Sequence, residues 1–287
     1  MVKKILVRTF LGLVLAFLYL PILWMILFSF TDTPSFNSWN GFSLQPYIDL
    51  FTGRDSSATF QALGNTFLIG ISASAIATVL GTMAAIGINS ISNKKYKKLF
   101  NSINQIPMVN SEIVTAVSLV LLFGIFRTFI RLEGNVQMFN VILAHVTFCT
   151  PYVVLNVLPR LKQSDNKIYE AALDLGCTPS QALWKVVIPD ILPGIIMGMV
   201  MSFTLSIDDF VITQFNIDGF QTLSTLIYLK ASGKKSLPPS MRALSSIIFV
   251  IILGLLLLMN SKSKDKSKDK ITKKTNKLSL AKKGAKR

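Results

Sequence analysis

Residues 170–189 read EAALDLGCTPSQALWKVVIP, a segment polar enough to lie in water. An apolar run long enough to cross a bilayer lies on each side of it, which predicts a loop between two membrane helices. Glu170 opens a stretch of high helix propensity, and Gly176 interrupts it where a helix C-terminus favours a left-handed residue. The segment therefore predicts a helix followed by a sharp turn.

A second helix is predicted directly after this turn. Thr178 has the side chain of an N-cap, and Pro179 suits the first helical position because no N–H is needed there. Apolar residues then recur at helical spacing, and we expect Pro189 to end this helix. The apolar face comprises Ala182, Leu183, Val186 and Val187.

The segment resembles the "EAA" loop of permease subunits from bacterial ABC importers. The family pattern is Glu-Ala-Ala, three residues, Gly, nine residues, then Ile-x-Leu-Pro; the last four positions are Val186–Pro189 here. The resemblance implies a coupling helix that docks in a groove of a separate ATPase. The plainer alternative is an ordinary amphipathic connector. The coupling residues implied by the resemblance are Glu170, Ala171, Ala172, Gly176 and Pro189.

The composition is that of an integral membrane protein. Of the 287 residues, 51% are hydrophobic and 15% are charged, and the mean hydropathy is +0.52. Such values are unusual for a soluble globular protein. Cys149, Cys177 and the single histidine, His145, are too few for a zinc site, a haem site or a Cys/His catalytic pair, and we expect no metal.

Six membrane spans are predicted, with both termini in the cytoplasm. The first run follows Lys3, Lys4 and Arg8 and is too long for a signal-peptide core, so we expect a retained helix. By the positive-inside rule, the basic loop 93–98 and the coupling loop 160–190 mark the cytoplasmic side. Basic residues in the external loop before the last span weaken this rule there without reversing it. The spans cover about residues 10–30, 62–88, 107–126, 136–158, 191–209 and 244–259.

The net charge of +16 is concentrated at the C-terminus, because twelve of the thirty Lys and Arg residues follow Asn260. Residues 1–260 therefore form the predicted transmembrane domain, and residues 261–287 a lysine-rich cytoplasmic tail with too little apolar surface to fold alone. The tail either binds anionic membrane lipids or is simply solvated. No nucleic-acid partner is expected, since no aromatic residues interleave the lysines.

Small residues predict where the helices pack. Ala73, Ala77, Gly81 and Ala85 recur every four residues in the second span, and Gly194 and Gly198 form a GxxxG pair in the fifth. Such stripes allow close backbone approach between membrane helices.

The chain lacks the sequence signatures of an enzyme. It has no GxxxxGK[ST] loop for ATP, no HExxH and no GxSxG, so we expect transport without a cofactor, driven by ATP that another polypeptide hydrolyses.

Three acidic residues border apolar runs and are candidates for a cation path. Asp208 and Asp209 follow an apolar stretch and are predicted near the outer side of the bilayer; adjacent helical residues point about 100° apart, so at most one faces the path directly. Glu112 lies near the start of the third span and is predicted near the inner side. Solvated interfacial carboxylates, or a helix N-terminal role for Glu112, are the alternatives.

Aromatic residues near these acids could stack on a cation, although membrane core is the expected place for most of them. Phe203 is the one assigned to the path. For His145 we expect an interhelical hydrogen bond rather than a proton relay. The other aromatic candidates are Phe148, Tyr152, Phe210 and Phe215.

Further stretches resemble the C-type permease of spermidine/putrescine ABC importers: WNGF at 39–42, LAHVTFCTPYVV at 143–154 and SFTLSIDDFVITQF at 202–215. The resemblance covers roughly residues 1–260. It implies an all-α type I importer permease fold and half of a polyamine translocation path. The implied partners are a homologous permease in a heterodimer, two ATPase subunits and an extracytoplasmic binding protein. A permease for a metal chelate, thiamine or an anion, or a scaffold or channel without an ATPase, are the alternatives.

Overall fold

The computed structural model describes residues 2–33, 38–130, 137–164, 166–232, 237–251 and 253–254. Within these ranges all regular structure is helical. The chain divides into two compact units, residues 1–56 with 230–287 and residues 57–229. The predicted tail 261–287 lies outside the described residues.

The first unit contains the N-terminal helix α1 (Val2–Phe28) and the short helix α2 (Gln45–Thr52). Residues 6–28 of α1 are apolar and long enough to cross a membrane. After α1, Phe30 stacks on Phe42 and packs against Tyr47, whose hydroxyl is hydrogen-bonded to Ser29 Oγ at 2.8 Å. These ring contacts and the hydrogen bond of the buried Ser29 hydroxyl fix the direction of the chain where it leaves α1.

The same unit contains a shorter apolar helix, Pro239–Ile251. It begins five residues before the predicted sixth span, and the end of that span lies beyond the described residues. Arg242 is buried in this helix and donates to the carbonyl oxygen of Thr33.

The second unit holds the other long helices. These are α3 (Ser56–Ser90), α4 (Lys94–Val109), α5 (Glu112–Ile130) and α6 (Gln137–Gln163). After the loop helix α7 (Asn166–Asp174), the chain continues through α8 (Pro179–Ala182), a π turn (Leu183–Val187) and α9 (Ile188–Asp208). The short helices α10 (Val211–Asn216) and α11 (Leu223–Ser232) follow; α11 extends past the boundary of the unit.

Four described helices are long and apolar enough to span a membrane, or five if the bent pair α4 and α5 counts as one span. The bend between α4 and α5 is 101°. Four of the predicted spans therefore fall on α1, α3, α6 and α9. The third predicted span falls on α5, which begins at Glu112 and not at Pro107. The count of six and the cytoplasmic termini stay predictions.

Antiparallel packing of α6 against α9 forms the centre of the second unit. Gly198 faces Val153, Ser202 faces Cys149, and Ser206 faces His145, each step being four residues along both helices. The same Val153 side chain also meets α3, where a Cβ at Gly81 would lie 2.6 Å from Val153 Cβ. The small-residue stripes thus mark the observed contacts, as predicted.

The loop 160–190 has the predicted helix, turn and second helix. Gly176 has φ +89°, a conformation that L side chains rarely adopt. Thr178 accepts from the backbone N–H of Gln181, whose side chain accepts from the N–H of Thr178, and Pro179 occupies the first turn of α8. The turn is therefore fixed by the residues that predicted it.

Pro189 does not end this helix, contrary to prediction. The helix continues from Pro179 to Asp208 as one element of 30 residues. Directly before Pro189, the N–H of Ile188 donates to the carbonyl of Leu183 in the π turn. A π turn holds one residue more than an α-turn. This wider turn relieves the clash between the proline ring and the carbonyl of the residue four positions earlier, which makes proline disruptive in an α-helix.

We predict that Gly81→Ala destabilises the protein, because the added methyl group would overlap Val153 in a packed interface. Overpacking of this kind costs about 1–3 kcal/mol. Thermal unfolding of the full-length protein in detergent, followed by circular dichroism, measures the effect. Gly87→Ala is the matched control, since Gly87 lies in the same helix and a methyl group added there would have nothing within 4 Å. Equal midpoints for the two variants would contradict the packing assignment.

Candidate functional site

An acidic cleft of about 270 Å³ lies where α9 ends and α5 begins. Glu112, Asp208 and Asp209 all line it. Three residues that the sequence singles out separately are thus brought to one site. Other polar and aromatic lining residues are Asn110, Thr115, Phe148, Tyr152 and Phe210.

Asp209 caps the short helix α10. Its Oδ2 accepts from the N–H and the hydroxyl of Thr213 at 2.8 and 2.7 Å, and Oδ1 accepts from the N–H of Ile212 at 3.2 Å. Its backbone carbonyl accepts from Ser224 Oγ at 2.8 Å. The Asp209 side chain is only 5% exposed. Its carboxylate is therefore committed to holding α10 beside the cleft, and its backbone carbonyl holds the start of α11.

His145 links this cap to the spanning helices. Its Nε2 is 2.9 Å from Thr213 Oγ1, and its Nδ1 is 2.6 Å from Ser206 Oγ. Because the Thr213 hydroxyl donates to Asp209, it accepts from His145 Nε2–H, which leaves Nδ1 to accept from Ser206. From Ser206 through His145 and Thr213 to Asp209, each hydrogen bond thus has one donor and one acceptor when the imidazole is neutral. The interhelical hydrogen bond expected of His145 is present, with two partners.

The two adjacent aspartates have different environments. Asp208 is the last residue of α9 and is exposed, whereas Asp209 is buried among donors. The divergence of adjacent helical residues predicts such a split, with one of the pair bonded to a neighbouring helix. Asp208 is therefore the carboxylate of the pair that remains available to a solute.

Glu112 is also exposed, as the first residue of α5. The sequence predicts it at a different depth from Asp208, yet both line the same cleft. The difference arises because α4 continues through Pro107 to Val109 before the bend. Its 16 residues extend roughly 24 Å from Lys94, at ~1.5 Å per residue, and so carry Glu112 away from the basic loop.

Of the aromatic candidates, Phe148, Tyr152 and Phe210 line the cleft. Phe203 does not. It packs on α3, where a Cβ at Gly70 would lie 3.2 Å from the Phe203 ring, and its centroid is 6.3 Å from that of Phe67. The geometry therefore gives Phe203 a packing contact outside the cleft.

The coupling loop presents a mixed surface. Glu170 and Ala171 are exposed on α7 and Pro189 is exposed on α9, while Ala172 is buried. Two large apolar side chains of the loop are strongly exposed, Leu175 at 87% and Trp184 at 68%. Exposed apolar side chains beside charged ones are typical of a protein-binding surface. The loop can thus contact a partner through residues on both sides of Gly176.

Sequence reasoning misses two features of these sites. Asn110 lines the cleft because the chain bends between Val109 and Glu112; Pro107 and the weak helix formers Asn110 and Ser111 are the available signal. Trp184 belongs to the exposed surface of the coupling loop, and the available signal is a tryptophan in a polar loop, a residue type enriched at contact surfaces.

Comparison with known proteins agrees with this architecture. The chain is 34% identical over 233 residues to the putrescine transport system permease protein PotI of Escherichia coli (strain K12), covering 81% of each chain. It is 32% identical over 251 residues to the spermidine/putrescine transport system permease protein PotC of Haemophilus influenzae, covering 88% of this chain and 93% of the relative.

A solved structure shares the fold at lower sequence similarity. It is a bacterial ABC transporter involved in the import of the acidic polysaccharide alginate, with a TM-score of 0.67, 18% identity, and coverage of 92% of this chain and 94% of that one. In addition, residues 77–261 match the family described as binding-protein-dependent transport system inner membrane component. The chain therefore belongs to this family and is a transport permease subunit of the inner membrane, not an enzyme.

Proposed function

We propose that this permease forms half of a polyamine path in an ATP-driven importer. The observation that carries the proposal is the cleft that combines the exposed carboxylates of Glu112 and Asp208 with three aromatic rings. Relatives whose names specify putrescine and spermidine support the same cargo class.

The cleft suits the chemistry of a polyamine. A polyamine carries ammonium groups separated by short methylene chains, so it can engage carboxylates and aromatic rings together. Asp208 and Glu112 would each accept charge-assisted hydrogen bonds from an ammonium group. Phe148, Tyr152 and Phe210 would attract the cation through their ring faces and cover the methylene groups. The buried Asp209 would shape the cleft without binding cargo directly.

The proposed complex has four kinds of subunit. A homologous permease would supply the other half of the path, two ATPase subunits would bind the two coupling loops and hydrolyse ATP, and an extracytoplasmic binding protein would deliver the polyamine. The family description, which names binding-protein-dependent transport, supports the last of these. This chain would bind no cofactor itself.

The continuous helix from Pro179 to Asp208 gives the loop a route to the cleft. Its first turns belong to the coupling loop and its last residue lines the cleft. At ~1.5 Å per residue its 30 residues span roughly 45 Å. Closure of the ATPase subunits on ATP would displace the loop, and a rigid helix would move Asp208 with it.

Uptake of labelled putrescine and spermidine into proteoliposomes containing the complete complex tests the proposal. We expect accumulation only with ATP and with the binding protein present. Uptake of a different solute under the same conditions, with neither polyamine transported, would refute the cargo assignment and leave the permease assignment intact.

Asp208→Asn should raise the KM for polyamine uptake by at least about 10-fold, since a hydrogen bond to a charged group contributes about 1.5–3 kcal/mol. We expect its unfolding midpoint to stay that of the parent, because the side chain is exposed. Asp49→Asn, a partly exposed carboxylate of α2 that does not line the cleft, is the control and should leave the KM unchanged. An unaltered KM for Asp208→Asn would remove this residue from the path.

Asp209→Asn should instead lower the unfolding midpoint. Its amide would place an N–H₂ group either against the N–H of Ile212 or against the N–H and hydroxyl of Thr213, leaving at least one donor without an acceptor at about 1–3 kcal/mol. Circular dichroism of the detergent-solubilised full-length chain measures the change. A midpoint equal to that of Asp208→Asn would show that the cap contributes little.

Glu170→Lys or Gly176→Pro should abolish ATP-driven uptake while membrane insertion stays normal. The first reverses an exposed charge on α7, and the second places proline at φ +89°, which its ring forbids. Uptake and the amount of membrane-inserted protein are measured together, with Asp49→Lys as the charge-reversal control outside the loop. Parental uptake rates in both variants would contradict the docking role.

A further inference from the structure

A basic cleft of about 250 Å³ lies at one end of the second unit and shares no lining residue with the acidic cleft. Lys94, Lys97 and Lys98 reach it from the first two turns of α4, and Lys162 from the last turn of α6. Among the described residues that line it, none is an aspartate or a glutamate. Four ammonium groups around one small cavity repel one another, so the site favours an anion that neutralises them.

One of the four lysines is already fixed in place. Lys97 Nζ donates to the backbone carbonyl and to the side-chain Oδ1 of Asn89, near the end of α3, at 2.8 and 3.2 Å. Lys94, Lys98 and Lys162 are exposed. The cavity therefore combines a positioned ammonium group with three exposed lysines whose long stems can adjust to an incoming ligand.

The floor of the basic cleft is apolar. Ile88 and Leu158 line it, and both belong to helices long enough to span the membrane. A ligand seated here would thus meet ammonium groups on one side and spanning helices on the other. This arrangement matches a phospholipid, in which a charged headgroup is joined to acyl chains.

The residue pattern of α4 favours a position of its lysines at a membrane surface. None of its residues is buried within the protein, and beyond its basic first turns it exposes Leu99, Ile103 and Ile106. Lysines at a helix end that are followed by exposed aliphatic residues are typical of the boundary between lipid headgroups and acyl chains.

We propose that the basic cleft binds the headgroup of an anionic phospholipid. The phosphate would contact the ammonium groups of Lys94, Lys98 and Lys162, with Lys97 as the fixed contact between α3 and α4. The acyl chains would lie along Ile88 and the exposed face of α4. Bound lipid would join the ends of α3, α4 and α6 close to the coupling loop.

Titration of the full-length protein in detergent with dioleoylphosphatidylglycerol, followed by native mass spectrometry, tests the proposal. We expect one saturable lipid, and dioleoylphosphatidylcholine should bind far more weakly because its headgroup has no net charge. The variant K94Q/K98Q/K162Q should weaken the phosphatidylglycerol affinity by about 5-fold for each lysine removed. Unfolding midpoints measured by circular dichroism establish that this variant is folded.

The matched control is K262Q/K264Q/K266Q, which removes the same charge from the lysine-rich tail and should retain the saturable site. Equal losses in the two triple variants would refute the cleft, since only net charge would then matter. Full competition by millimolar inorganic phosphate would identify a free anion in place of a lipid. Unchanged lipid affinity in the cleft variant, together with loss of the ATPase subunits on purification, would assign the lysines to a protein interface.

Discussion

Close approach of α6 and α9 is the contact on which the second unit depends. In lipid the hydrophobic effect contributes little to helix association, so packing and interhelical hydrogen bonds must hold the helices together. The two helices meet through pairs spaced four residues apart, from Val153 with Gly198 to His145 with Ser206. Val153 also fills the space left by Gly81 of α3, so three spanning helices share one side chain.

The polar end of the interface between α6 and α9 positions the residues beside the acidic cleft. The small residues Gly198 and Ser202 let the backbones of α6 and α9 approach, and His145 reaches Ser206 across this contact. In turn, His145 holds Thr213, which holds Asp209. Buried polar groups in a membrane are costly unless all are satisfied, and here every step has a donor and an acceptor. A packing feature therefore positions the helix end from which Asp208 faces the cleft.

Much of this architecture can be predicted from sequence because its signals are local. Gly176, Thr178 and Pro179 specify a turn by backbone chemistry alone, and the small-residue stripes specify which faces meet. The shared position of Glu112 and Asp208 cannot be predicted, since it depends on a 101° bend that only weak helix formers indicate. Phe203 illustrates a related limit, because an aromatic residue near a helix end does not reveal which neighbour it faces.

The π turn at Leu183–Val187 has a consequence for the register of the whole helix. It contains one residue more than an α-turn would, so the faces before and after it are offset by about 100° relative to an uninterrupted α-helix. Removing a single residue there would restore α-geometry and rotate Trp184 and its neighbours away from their present direction while Gly194 and Gly198 stayed against α6. The number of residues in this one turn thus sets the angle between the exposed surface around Trp184 and the surface that packs on α6.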